Sequence, residues 1–230
     1  MSKRFSNLAV ALLAAGATLG FGLQGSPVRA EAVVPTPAAV IKASEAPGLK
    51  TAVFAGGCFW GVEAVFSHIK GVTSAVSGYD GGDASTAQYE RVSEGDTGHA
   101  EAVKVTYDPK VVRYDELLRV FFAVVTDPTE LNRQGPDSGT QYRNALFPQN
   151  PEQTRVAAGY LAQLKVLNPW HRPIVTRIEG GRGFYAAEGH HQDFALHNPD
   201  HPYIVHWDLP KVAALKRMFP QYWKADFTRG

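Results

Sequence analysis

The stretch that decides the fold is "TAVFAGGCFWGVEAVFSHIKGVTSAVSGY", residues 51–79. Its first five residues, 51–55, read as a strand. Gly56 and Gly57 follow, and glycine turns a chain tightly because it has no Cβ to clash. A helix is predicted from near Cys58 to about Ile69, with Val62, Val65, Phe66 and Ile69 on one face. Gly71 breaks it, and "VTSAVSGY" reads as a second strand.

Further along, "EAVKVTYD", 101–108, alternates as a third strand, and "YDELLRVFFAVV", 114–125, has helical spacing up to Asp127-Pro128. Residues 126–142 form a long polar loop, a length that is usually functional or disordered. "RNALFP" is a short strand. Asn150 reads as an N-cap with Pro151 at the first helical position and Gln153 at N3, opening a helix to about Leu167. "PIVTRIE" is a further strand and "LPKVAALKRMF" a late helix. This order predicts an α+β fold: a two-layer α/β sandwich of the split β-α-β, ferredoxin-like type with a mixed sheet. One catalytic domain is expected over 49–230, with a C-terminal tail from about 210.

The N-terminus has another character. Lys3 and Arg4 precede an apolar run from Leu8 to about Leu23, and Val28-Arg29-Ala30 fits a cleavage site. That is the layout of a secretory signal peptide over 1–30. The run is rich in Ala and Gly, weak for a bilayer span of about 20 strongly apolar residues. Residues 31–48, rich in Pro and Ala, read as a flexible lead-in. The leader carries three cations and no acid, so cleavage takes the net charge from +1 to about −2. Nothing in that balance calls for nucleic acid or an anionic membrane surface. The expected location is exported, periplasmic or secreted.

Cys58 is the single cysteine of the 230 residues. An odd cysteine in an exported chain is a candidate reactive thiol. At a helix start it would face free N–H groups and the positive end of the helix dipole, which predicts a lowered thiol pKa. The competing reading is a small buried hydrophobe. "GGCFWG" lacks the spacing of a dinucleotide or phosphate loop. Phe59 and Trp60 point in different directions on a helix, so they either wall an apolar pocket or divide between core and chance. Glu101, after a glycine-rich loop holding Tyr89 and His99, is either a buried general acid or an exposed strand end. Asp137, Gln141 and Tyr142 close the long loop. His190, His191, His197 and His201 match no zinc spacing, and no metal is expected.

Together, "GGCFWGVE", "SGYDGG", "TGHAEAVKVTYDP", "DPTELNRQGPDSGTQYRNALF" and "EGHHQDF", in this order, resemble the peptide methionine-(S)-sulfoxide reductases, A type, over about residues 50–205. The resemblance implies reduction of methionine-(S)-sulfoxide, free or in proteins, and hence repair of oxidised proteins. It implies that Cys58 is the nucleophile and Glu101 the acid for the sulfoxide oxygen. Tyr89 and Tyr142 would hydrogen-bond that oxygen, and Phe59 and Trp60 would hold the S-methyl group. Asp137 would contact substrate backbone and His191 would line the cleft. No bound cofactor is implied, and a monomer is expected. Where many members carry a resolving cysteine, this chain has Gly61 and a cysteine-free tail. The sulfenic acid on Cys58 would therefore be recycled by an external thiol, a thioredoxin-like protein or a small thiol. A thiol peroxidase would use the same cysteine without a methyl pocket. A non-enzymatic binder of oxidised or Met-rich partners would leave Cys58 structural.

Overall fold

A computed structural model describes residues 33–230; the expected leader lies outside the described residues. The strands are β1 (Lys50–Gly56), β2 (Val72–Asp80), β3 (Ala100–Tyr107), β4 (Arg133–Gln134), β5 (Asp137–Ser138), β6 (Asn144–Phe147), β7 (Arg177–Ile178) and β8 (Tyr185–Ala186). The helices are α1 (Phe59–Ser67), α2 (Tyr89–Val92), α3 (Tyr114–Val120), α4 (Pro151–Leu167), α5 (Phe194–His197) and α6 (Leu209–Met218). Strands form one sheet in the order β7-β6-β1-β3-β2-β8, with β4 and β5 as a separate hairpin. Within the sheet β6–β7 is the parallel pair and the other pairs are antiparallel. β3 lies between β1 and β2, so β1-α1-β2 is a split β-α-β unit, and the sheet is mixed as expected.

Alternation along the strands separates two faces. Ala52 and Phe54 on β1 and Val103, Val105 and Tyr107 on β3 turn to the main core with α1, α3 and α4. Val53, Ala55, Ala100, Ala102, Ala145 and Phe147 form the opposite face, which Phe184 covers. Glu101 stands in the same alternating row as Val103 and Val105, on the helix side. Phe54 anchors that side, with ring centroids 4.7 Å from Phe66 and 5.4 Å from Phe121.

Several elements differ from expectation. The 114–125 helix is α-helical only to Val120; Phe121–Val125 is a π-helical turn closed by Thr126 N–H on the Phe121 carbonyl at 3.2 Å. "PIVTRIE" pairs only at Arg177–Ile178, because the Val175 N–H is taken by the Pro128 carbonyl at 2.8 Å. The long loop contains the β4–β5 hairpin. α4 begins as predicted, with the Asn150 side chain accepting from Gln153 N at 2.9 Å, and ends at Asn168, φ +41°.

Residues 33–48 are not a flexible lead-in. They lie along α3 and α4, whose side chains satisfy their backbone groups. Tyr160 donates to the Pro37 carbonyl at 2.7 Å, and Ala43 N–H reaches Asp115 Oδ1 at 3.0 Å. Glu45 accepts from the Tyr107 hydroxyl at 2.6 Å. The C-terminal tail is docked too, around the far end of α1 from Cys58. Lys224 N–H meets the His68 carbonyl at 2.8 Å, Thr228 N–H the Ser67 carbonyl at 3.0 Å, and Gly230 N–H meets Asp193 Oδ1 at 3.1 Å.

Phe54→Ala opens a cavity in the ring cluster and is expected to destabilise the fold by about 3–5 kcal/mol, measured by denaturant unfolding at unchanged slope.

Candidate active site

The turn before Cys58 is held by glycine for spatial reasons. Gly57 has φ +97°, and a Cβ there would lie 2.5 Å from the Cβ of Gln134. A Cβ on Gly56 would lie 2.8 Å from the Phe121 ring. The chain can therefore leave β1 close under the loop carrying Asp137 and Tyr142. Cys58 becomes the N-cap of α1 and keeps partial exposure.

Glu101 meets the start of this helix. Its Oε2 accepts from Phe59 N–H at 3.0 Å, and the residue is 3 % exposed. Burial pushes its carboxyl up to about 8 and the Asp137 charge adds to this, while the Phe59 N–H works the other way. Glu101 thus carries a proton at neutral pH. The alternative of an exposed strand end is excluded.

The thiol departs from expectation. Desolvation raises Cys58 well above its ordinary range; Glu101, Asp208 and Asp137 push further in the same direction, and the Trp60 N–H opposes them. The helix N-terminus does favour thiolate, but one of its N–H groups serves Glu101, and burial among three acidic side chains outweighs the rest.

Tyr89 and Tyr142 are both raised by burial and next by the Glu101 charge, which places both phenols in its field. Tyr89 N–H and the Tyr79 hydroxyl each donate to Glu188 at 2.9 Å, so one carboxylate anchors α2 to β2. Phe59 is both core and wall: its ring is buried, with His191 at 5.2 Å between centroids. The indole of Trp60 stacks parallel on Phe194 at 3.7 Å, and Tyr203 meets it edge-on at 5.9 Å. His191 is buried 4.4 Å from the Tyr89 ring, and its burial lowers its pKa, so it is a neutral member of the aromatic wall.

Two neighbouring residues are braces outside this cluster. His99 Nδ1 accepts from Gly82 N–H at 3.2 Å, and its Nε2 faces the Asp83 carbonyl at 3.0 Å. Gln141 donates to the Ser93 carbonyl at 3.0 Å. Among the described residues, no three His, Cys, Asp or Glu are grouped to hold a metal ion.

Sequence reading missed Tyr203, Phe194 and Asp208. The Tyr203 hydroxyl donates to Asp137 Oδ2. Asp208, at the end of the π-helical turn Ile204–Asp208, is buried against the first turn of α1. Phe194 ends the "EGHHQDF" motif without a role read for it, and the rest of the segment, "ALHNPDHPYIVHWD", offered only His197 and His201, which match no metal spacing; it reaches Cys58 through tertiary folding.

The assembled chemistry is a thiol beside a protonated carboxyl and two phenols, facing an aromatic wall. It can attack an electrophilic atom, supply a proton to an oxygen and hold a small apolar group. Residues 50–223 match the model of a family described as peptide methionine sulfoxide reductase. The chain belongs to this family. It is 58% identical over 175 residues to peptide methionine sulfoxide reductase MsrA 2 of Mesorhizobium japonicum, covering 76% of this chain and 90% of that protein. It is 46% identical over 196 residues to the protein of the same name from Synechocystis, covering 84% and 92%. Among solved structures it is similar to reduced Mxr1 from Saccharomyces cerevisiae, at 36% identity and TM-score 0.61, covering 70% of this chain and 92% of that one. Methionine sulfoxide reductase A of Corynebacterium diphtheriae gives 31% identity and TM-score 0.56, covering 74% and 85%.

Two outcomes test the electrostatics of this reductase-family site. Alkylation of Cys58 by iodoacetamide should show its inflection above that of a free cysteine, and Glu101→Gln should move the inflection down. Glu63, fully buried on α1, has a carboxyl pushed up to about 8 by burial. Its folded pKa lies above its unfolded value of 4.5, so its contribution to stability falls as pH rises from 4.5 to about 8. Relative to the parent, Glu63→Gln should therefore gain Tm between pH 5 and pH 8.5, as read by thermal melts.

Proposed function

We propose that this protein reduces methionine-(S)-sulfoxide, free or in proteins, to methionine and so repairs oxidised proteins. The observation that carries the reading is the Phe59 N–H to Glu101 contact, which sets a protonated carboxyl beside Cys58. In this reading Cys58 is the nucleophile. Its sulfur bonds to the sulfoxide sulfur while Glu101 gives a proton to the oxygen, with Tyr89 and Tyr142 donating hydrogen bonds to it. The substrate's sulfur–oxygen bond and the transient sulfur–sulfur bond then break as the oxygen bonds to Cys58, and the thiol proton returns to Glu101. The balance is sulfoxide plus thiol giving thioether plus sulfenic acid: the substrate sulfur gains two electrons and Cys58 loses two.

A sulfoxide sulfur is a stereocentre. With oxygen at Glu101, methyl at Trp60 and Phe59, and substrate backbone at Asp137, three substituents are fixed and one epimer presents its sulfur to Cys58. His191 closes the wall behind the methyl group. Family membership supports the S epimer.

The sulfenic acid is then returned to thiol by two external thiols, through a mixed disulfide with loss of water. The single cysteine supports a thioredoxin-like protein or a small thiol as the source. No bound cofactor enters this cycle. The leader expected over 1–30 supports export, to the periplasm or the medium.

A single turnover without reductant should yield one methionine per enzyme from the S epimer alone, with one oxygen gained by the protein. Product from neither epimer, with turnover of peroxide instead, would overturn the reading. Cys58→Ser should abolish turnover, and Glu101→Gln should slow it by about 10²–10⁴-fold. In the parent, turnover should fall as pH rises through about 8, where Glu101 loses its proton.

A further inference from the structure

The reduction chemistry uses the first turn of α1. The turns beyond it border a second, apolar pocket. Trp60, Ala64 and His68 recur at intervals of four, which puts them on one face of the helix. Trp60 belongs to the aromatic wall of the site. Ala64 and His68 line a pocket of about 380 Å³ together with Leu196 of α5, Leu209 of α6, and Ala225 and Phe227 of the tail. The tail side is clamped at both ends: Lys224 N–H meets the His68 carbonyl at 2.8 Å, and Thr228 N–H meets the Ser67 carbonyl at 3.0 Å. The Phe227 ring stands edge-on to His68 at 5.4 Å between centroids. The pocket is therefore preformed, and it opens to solvent where Leu196 and Leu209 are 37 % and 41 % exposed.

Continuity and charge indicate the occupant. Trp60, Phe194, Tyr203, Val212 and Phe227 all pack on one small cluster of Ala64, Ala195 and Ile204. One end of this cluster is the wall assigned to the substrate methyl group. Tyr203, in the same cluster, donates to Asp137, the residue assigned to substrate backbone. The other end is the pocket. Among the described residues its lining carries one full charge, Asp226. Burial lowers the pKa of His68, so its ring is neutral at pH 7, with Nδ1 on the Lys224 carbonyl at 3.1 Å. Such a pocket accepts an apolar side chain and repels an acidic one. Its separation from the site follows from helix geometry. At 1.5 Å per residue, Ala64 and His68 stand about 6 and 12 Å along the axis from Trp60. An extended chain advances about 3.3 Å per residue, so the pocket lies about two to four residues along a peptide.

We propose that this pocket is a subsite for polypeptide substrates, holding an apolar side chain two to four residues from the oxidised methionine. The proposal rests on sulfoxide reduction as the reaction at Cys58 and narrows its substrate class. The preferred segments carry methionine sulfoxide near Leu, Ile or Phe. Folded proteins bury such segments, and methionine oxidation disrupts the cores that contain them. It also gives the docked tail a task, since residues 225–227 form one side of the subsite.

The test supplies dithiothreitol as reductant to short Gly/Ser peptides with one methionine-(S)-sulfoxide. A single Leu is moved along each peptide on either side of the sulfoxide. In the parent, kcat/KM should rise about tenfold when Leu stands two to four residues away, and Asp at that position should remove the gain. Ala225→Trp fills the pocket from its exposed rim and should flatten the profile, while turnover of free methionine sulfoxide stays within about twofold of the parent. Leu209→Ser removes apolar area without filling the space and should reduce the gain. A flat profile in the parent, or a profile that Ala225→Trp leaves unchanged, would overturn the subsite. So would an effect of Ala225→Trp that appears only when a thioredoxin replaces dithiothreitol, since the pocket would then receive the reductant. Absence of methionine from free sulfoxide in the parent would sink the reduction reading itself; methionine from free sulfoxide with a flat peptide profile would sink the subsite alone.

Discussion

The hydrogen bond from Phe59 N–H to Glu101 ties the start of α1 to the start of β3, and the site is organised around it. A helix N-terminus has N–H groups without partners. Here one of them is given to a buried carboxyl rather than to solvent. This fixes the acid within reach of Cys58 on the preceding residue. It requires β3 to lie beside β1, since only then does the row of Glu101, Val103 and Val105 face α1. The split β-α-β order is therefore a condition for the chemistry as well as a way to bury the core.

The same contact explains why the thiol rests protonated. Helix termini favour thiolate when they are solvated or offered cations. Around Cys58 the neighbours are three acidic side chains and an apolar wall, and burying a further negative charge is costly there. Glu101 answers the same pressure by keeping its proton. The resting pair is thus neutral, and reactivity depends on a substrate oxygen arriving to accept that proton. The aromatic wall serves both ends, excluding water from the pair and shaping the space for an apolar group. It draws on distant parts of the chain, with Phe59 and Trp60 from α1, Phe194 from α5 and Tyr203 before the π-helical turn.

Irregular segments carry the rest of the positioning. The Gly56-Gly57 turn approaches the Gln134 side chain closely, which locks the long loop over Cys58. The N-terminal residues 33–48 and the last dozen residues wrap α3, α4 and the far end of α1. The first is written in a composition that looks like a linker, and the second reads only as a tail. Pro, Ala and scattered charges give no periodic signal, so their order is invisible until the side chains that satisfy their backbones are in place. Tyr160 and Asp115 do this for the first segment, and Asp193 for the last residue.

The sequence by itself determined the strand, glycine turn, helix and strand of 51–79, the Asn150 cap of α4, and the motifs that name the family. These are local facts: side-chain periodicity, backbone freedom at glycine, and a cap three residues from its partner. It also determined that one cysteine stands alone. Tertiary structure decided the protonation of Cys58 and Glu101, the entry of Tyr203, Phe194 and Asp208 into the site, and the docking of both ends. A pKa depends on burial and on charges brought together from β3, β5 and the turn before α6, and no spacing along the chain encodes that distance. A residue acts at Cys58 because of where the fold places it, which is why Tyr203 and Asp208 stood out in no motif before the sheet and helices were assembled.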